Sequence, residues 1–258
     1  MLPLQLMISK AKIKYVRSLE QRKHRKAEGV FVAEGPKVVG ELMATRPARM
    51  LVATSKWLRG KDIDGETEII EVTDEELRKV SFLQHPQEVL ALFEQPKLER
   101  DGDITTRLSL ALDDIQDPGN LGTIIRVADW FGIENVYCSE NTADVYNPKV
   151  IQATMGSLAR VNVIYRDLGL LMDSLPDDFP AYGTMLDGED IYRQTLSEYG
   201  LIIMGNEGKG ISPAIASRIN RKLLIPNYPI GRQTVDSLNV AIATAITCSE
   251  FRRHGTRH

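Results

Sequence analysis

Strand-length apolar runs alternate with segments of helical periodicity along nearly the whole chain, and this alternation restricts the fold more than any other feature. "GVFVAEG", "RMLVAT", "TEIIEV" and "EVLALFEQ" read as strands. "PKVVGELMAT", "SKWLRG" and "TDEELRKVSF" between them read as helices, the first opening on proline. The last has Thr73 as N-cap with Glu76 three residues on, a capping box. A polar stretch, "QPKLERDGDITTR", follows, and a second alternating set begins. Its strands are "LSLALDDI", "NVYCSE", "VNVIYR", "AYGTML", "LIIMGNEG" and "RKLLIPN". Its helices are "NLGTIIRVADWFG", "NPKVIQATMGSLARV", "DLGLLMDSL", "SPAIASRIN" and "SLNVAIATAITCSEFRR". This predicts an α/β protein: a small α/β domain over 1–100, a linker at 101–107, and a second domain over 108–258 with a mostly parallel sheet.

The length of 258 residues suits one large domain or two ordinary ones, and 43% hydrophobic residues supply a core. No apolar run reaches the ~18 residues of a membrane span. The first residues, "MLPLQLMISKAKIK", put charge after a short apolar patch, the reverse of a signal peptide. Two distant cysteines, Cys138 and Cys248, fit buried thiols in a reducing, cytoplasmic setting. Histidines lie outside the motifs, so neither a metal nor a histidine triad is expected. Net charge is −3, but residues 1–100 carry 18 basic and 15 acidic residues, and eight basic residues with one acid fall within 10–26. That run reads either as a solvated helix face or as a phosphate-contacting stripe for RNA, with Lys10, Lys12, Lys14, Arg22, Lys23, Arg25 and Lys26 as the candidate RNA contacts among the eight.

Three strand-to-helix junctions carry polar residues where open parallel sheets bind ligands. "DDIQDPGNLGTIIRVADWFG" lacks the glycine fingerprint of a dinucleotide loop. Asn120 there reads as a helix cap or a site residue. Arg126 interrupts an apolar run and needs either a partner such as Asp129 or a function. "IIMGNEGKGIS" has the wrong spacing for a phosphate-binding P-loop; its glycines suit a tight turn or a backbone approaching a ligand, with Glu207 beside them. "IPNYPIGRQTVDSLNVAIATAI" places Asp236 or Ser237 as helix cap and Asn239 just after.

These three motifs, in this order, resemble those of the SpoU/TrmH family of RNA ribose 2′-O-methyltransferases in the SPOUT superfamily. The first hundred residues resemble that family's ribosomal-protein-like substrate-binding domain, through "RKHRKAEGVFVAEGPKVVGELM" and "HPQEVLALFE". The resemblance implies a deep trefoil knot, S-adenosylmethionine as cofactor, a structured RNA substrate (ribosomal favoured over transfer RNA), and a homodimer with its active site at the subunit interface. It assigns catalytic positions to Asn120, Arg126, Glu207, Ser237 and Asn239, and cofactor contacts to Thr184, Gly205, Ile225 and Leu238. Arg126 would grip a phosphate and steady the developing alkoxide, with Asn120 orienting it. One departure is the stretch between Pro226 and Ser237, which is longer than the family's. Two other classes compete: an RNA-binding protein of this fold without the chemistry, and a nucleotide-cofactor oxidoreductase, against which the missing glycine fingerprint argues.

Overall fold

The computed structural model describes residues 5–96, 104–229, 232 and 237–255. Part of the expected linker (101–103), the proposed cap Asp236 and most of the lengthened third-motif loop lie outside the described residues. The chain divides into two compact units, Met1–Lys97 with Asp144–Ala159, and Leu98–Ala143 with Arg160–His258.

The first unit holds a five-stranded mixed sheet built from β1 (Gln5–Leu6), β2 (Val30–Glu34), β3 (Met50–Ala53), β4 (Glu68–Glu71) and β5 (Val89–Glu94), in the order β1-β4-β3-β5-β2. Its helices are α1 (Lys10–Ser18), α2 (Arg22–Glu28), α3 (Pro36–Met43), α4 (Ser55–Leu58) and α5 (Asp74–Val80). The Thr73 and Glu76 capping box forms as expected and starts α5. Side chains of a strand alternate between faces. Val30, Val32, Leu90 and Leu92 join Val16, Leu19 and Leu77 in one core. Phe31 and Phe93 point to the other face, stacked at 5.6 Å, and Phe31 stacks on Tyr146 at 5.1 Å.

The second unit is a six-stranded, wholly parallel sheet. Its strands are β6 (Leu108–Asp113), β7 (Asn135–Cys138), β8 (Asn162–Tyr165), β9 (Ala181–Asp190), β10 (Gly200–Gly205) and β11 (Arg221–Leu224), in the order β11-β9-β10-β6-β7-β8. Helices α6 (Pro118–Trp130), α8 (Leu168–Asp173), α9 (Pro213–Ala216) and α10 (Val240–Gly255) belong to it, and α10 packs on α6. Leu168, Leu171, Phe179, Leu201, Ile203 and Ile215 form a core with Tyr137 and Ile164. Burial on both faces explains why these strands read as unbroken apolar runs.

Three features depart from expectation. The helix expected through "NPKVIQATMGSLARV" is α7 (Pro148–Thr154) and stops at Met155, in the left-handed conformation at φ 53°. Gly156 follows at φ 96°, where a Cβ would meet the Glu41 side chain at 2.7 Å; the turn must pass closer than any other residue allows. This segment also sits in the first unit, where Tyr146 covers the second face of that sheet, whereas a boundary at 108 assigns it to the second domain. Finally, β9 extends to Asp190 with a break: Lys222 pairs with Gly183 but Leu223 with Glu189, so 184–188 bulges out of the ladder.

Candidate active site

Strands β6 and β10 end side by side, with Gly205 opposite Asp113. Asp113 is buried and its Oδ2 accepts the Ser212 N–H at 2.7 Å. Asp114 turns the chain at φ 61°, and its N–H donates to Ser139 Oγ at 2.9 Å. The Asn206 amide donates to the Asp114 carbonyl at 2.8 Å, while its Oδ1 accepts the N–H groups of Gly208 and Lys209 at 2.9 and 3.0 Å. Asn206 and Gly210 exchange backbone hydrogen bonds, closing the loop back on the strand end. A Cβ on Gly205 would lie 2.3 Å from Gly210 C and Ile211 N. The close approach at this glycine is therefore made by the chain's own returning loop.

That loop presents Glu207. Its Oε1 accepts the Asn120 Nδ2–H at 2.7 Å, and Asn120 Oδ1 accepts from Asn239 Nδ2 at 2.9 Å. Asn239 Oδ1 accepts the Ala241 N–H at 3.0 Å, capping α10. Each amide is fixed by its neighbour: reversing Asn120 would set oxygen against carboxylate and NH₂ against NH₂. Glu207 and Asn239, 87 and 119 residues after Asn120, thus converge on it in one directional chain of hydrogen bonds ending at a carboxylate. Asn120 orients Glu207 rather than Arg126. The cap of α6 is Asp117, whose Oδ1 accepts the Asn120 N–H at 2.8 Å. Ser237 is exposed and makes no hydrogen bond among the described residues.

Arg126 lies on the third turn of α6. It is six positions after Asn120, so it stands about 9 Å further along the axis and about 240° around it. It is exposed, with no ion pair among the described residues. Asp129 is taken by Arg160 through bonds of 2.9, 3.2 and 2.8 Å, so the structural partner considered for Arg126 is not available to it. Of the expected cofactor contacts, Thr184 follows the last β9 residue paired with β10, and Gly205 closes β10. Ile225 follows β11, and Leu238 adjoins Asn239. Thr184 Oγ1 donates to Met204 Sδ at 3.5 Å.

The basic run is divided. Lys10, Lys14, Arg22, Lys23 and Lys26 are exposed, and Lys12 pairs with Glu68 at 2.7 Å. Arg25 is a correction: only 2% exposed, it donates to the carbonyls of Leu19 and Glu20 at 2.7 and 2.6 Å and to Asp144 at 2.5 Å. A guanidinium so engaged holds the first unit together and cannot reach a phosphate. Arg25→Ala is expected to destabilise the protein by about 3–5 kcal/mol, because Asp144 loses its buried partner. Salt dependence of RNA affinity should not change; urea unfolding and binding across a salt series measure the two effects.

Asn206, Asp113 and Asp114 went unnoticed in the sequence. Their available signal was position, polar residues directly closing buried parallel strands. Cys138 and Cys248 are free and buried, and burial pushes the Cys248 thiol up to about 12. Among the described residues no group of acidic, histidine or cysteine side chains could hold a metal, and no helix is long and apolar enough to cross a membrane.

Residues 107–249 match the SpoU rRNA Methylase family and residues 10–91 the MRM3-like substrate binding domain. The 23S rRNA (guanosine(2553)-2'-O)-methyltransferase RlmP of Bacillus subtilis is 30% identical over 93% of this chain and 96% of its own length. A solved structure from Porphyromonas gingivalis assigned to the TrmH family of RNA methyltransferases superposes with a TM-score of 0.87 at 42% identity, covering 96% of this chain and 99% of that one. An AdoMet-bound rRNA methyltransferase from Sinorhizobium meliloti gives 0.83 at 28% identity, over 97% and 98%.

Proposed function

This chain belongs to the SpoU rRNA Methylase family, and from that premise we propose that it moves the methyl of S-adenosylmethionine to a ribose 2′-hydroxyl of ribosomal RNA. The observation that carries the reading is the chain from Asn239 through Asn120 to Glu207 at the carboxyl edge of a parallel sheet.

The residues at that edge suit the cofactor. Ile225 and Leu238, the latter 48% exposed, offer apolar surface for a purine or a thioether, and the Glu207 carboxylate complements a sulfonium. Bound there, the cofactor supplies an already activated methyl group, so no metal is needed. The protein's part is alignment and charge. The hydrogen-bonded chain holds the Glu207 loop in one position, so little reorganisation is left for the moment of reaction. The 2′-oxygen would take the methyl as the methyl–sulfur bond breaks, leaving S-adenosylhomocysteine, and the hydroxyl proton would pass to water. Arg126 grips a phosphate bidentately and stabilises the developing alkoxide. Ser237, which is exposed, would hydrogen-bond RNA.

The face on which Arg126 stands differs from that of Asn120, which supports a site completed by a second copy of the chain. Trp130 is 84% exposed one turn beyond Arg126, and Ile242 on α10 is 53% exposed; a homodimer would cover both. A trefoil knot near the second and third motifs and a cytoplasmic setting belong to the same reading.

Full-length protein incubated with methyl-labelled cofactor and unmodified 23S rRNA or transfer RNA transcripts tests it. Label is expected on ribose 2′-oxygen in the ribosomal transcript. Label on a base would overturn the ribose assignment, and label on transfer RNA alone the ribosomal one. In sedimentation the active species should be a dimer; a fully active monomer at micromolar concentration rules the shared site out.

A further inference from the structure

We propose that the turn 81–87 of the first unit reads unpaired bases of the RNA substrate through Gln84, His85 and Gln87. The proposal rests on the chain's being an RNA methyltransferase and adds which residues choose the RNA.

The base of this turn is tied down on all sides. Glu34, the last residue of β2, is buried; its Oε1 accepts the Phe82 N–H at 2.8 Å and its Oε2 accepts the Ser81 hydroxyl. Ser81 Oγ in turn accepts the Leu83 N–H at 3.0 Å. The Arg17 guanidinium donates to the Ser81 carbonyl and lies over the Phe82 ring, 5.2 Å from its centroid. At the far end the Glu88 carbonyl accepts the Thr54 N–H at 2.8 Å and the Val89 carbonyl the Gly35 N–H at 2.9 Å. Burial raises the Glu34 carboxyl above its ordinary value, while the bonds from Ser81 and Phe82 and the Arg17 charge pull it back. A buried carboxylate is a costly way to hold a turn that has only to connect α5 to β5.

The tip contrasts with the base. Gln84, His85 and Gln87 are exposed, and their side chains make no hydrogen bond or ion pair among the described residues. Pro86 restricts the backbone between them. Two carboxamides and an imidazole present both donors and acceptors without the fixed positive charge of a phosphate grip. Such groups suit base edges, which in RNA are reachable mainly in unpaired loops and bulges. Lys37, exposed on the first turn of α3 three residues from Glu34, supplies a cation for the adjoining backbone. Rigid support under free polar tips is the arrangement of a preorganised reading element.

The test uses the full-length triple variant Q84A/H85A/Q87A, whose changes are all on the surface. Its probes are unmodified 23S rRNA and transfer RNA transcripts with poly(U) as non-specific competitor. On the transcript the unaltered protein prefers, KM should rise roughly ten- to hundredfold, the loss of one or two base contacts. Turnover at saturation, cofactor affinity, poly(U) affinity and the salt slope of binding should stay as they were, because no phosphate contact is removed. An unchanged KM overturns the proposal, as does an equal loss of affinity for the transcripts and poly(U). If the unaltered protein neither binds nor methylates either transcript, the substrate reading falls and takes the proposal with it.

Discussion

Arg126→Lys should lower single-turnover methyl transfer by two to three powers of ten, roughly 2.7–4 kcal/mol by analogy with removing one oxyanion donor. The substitution keeps the charge and removes the planar fork. Arg126 is exposed and unpaired among the described residues, while Asp129 is held by Arg160, so the variant should stay folded with little change in melting temperature. Cofactor affinity, read by calorimetric titration, should barely move, because Arg126 stands on a different face of α6 from Asn120. Adding Asp129→Asn separates the two explanations further: it should weaken the Arg160 pair and leave the reaction nearly as it was. Near-normal turnover in the folded Lys variant would remove Arg126 from the chemistry.

Gly205→Ala should be almost as damaging, by another route. The new Cβ would stand 2.3 Å from the backbone of Gly210 and Ile211, and no rotamer moves a Cβ away from main-chain atoms. The loop must lift from the strand end, carrying Asn206 and Glu207 with it. A displacement near 1 Å at reacting groups costs about a hundredfold in rate, and overpacking of this kind typically costs about 1–3 kcal/mol of stability. The expected result is a folded, less stable protein with transfer reduced by about two powers of ten and weakened cofactor binding. Denaturant unfolding, calorimetry and single-turnover assays on one preparation distinguish this from simple misfolding. Normal rate and normal cofactor affinity would show that the loop can move without consequence.

The chain of hydrogen bonds at the site joins partners far apart in the sequence, and that is where sequence and structure part company. The alternating strands and helices were legible, because apolar period and capping chemistry act over a few residues: the Thr73 capping box is one case, the β6 run another. Asn120, Glu207 and Asn239 were legible as polar residues at strand-to-helix junctions. Their connection was not. Nothing local says that Asn120 donates to a residue 87 positions on and accepts from one 119 positions on, or that it orients Glu207 and not Arg126.

The two units show the same division. By itself the sequence determined the α/β class, the strands and most helices, the residue types of the site, and a basic stretch at 10–26. Only the tertiary structure decided that Arg25 leaves that stretch for the interior, because its carboxylate partner, Asp144, lies 119 residues away. It decided as well that 144–159 joins the first unit, where Tyr146 stacks on Phe31. The physical reason is common to all of these. Periodicity and caps are set by neighbours along the chain, whereas burial of a charge, orientation of an amide and cover for a sheet face are set by whichever atoms folding brings alongside.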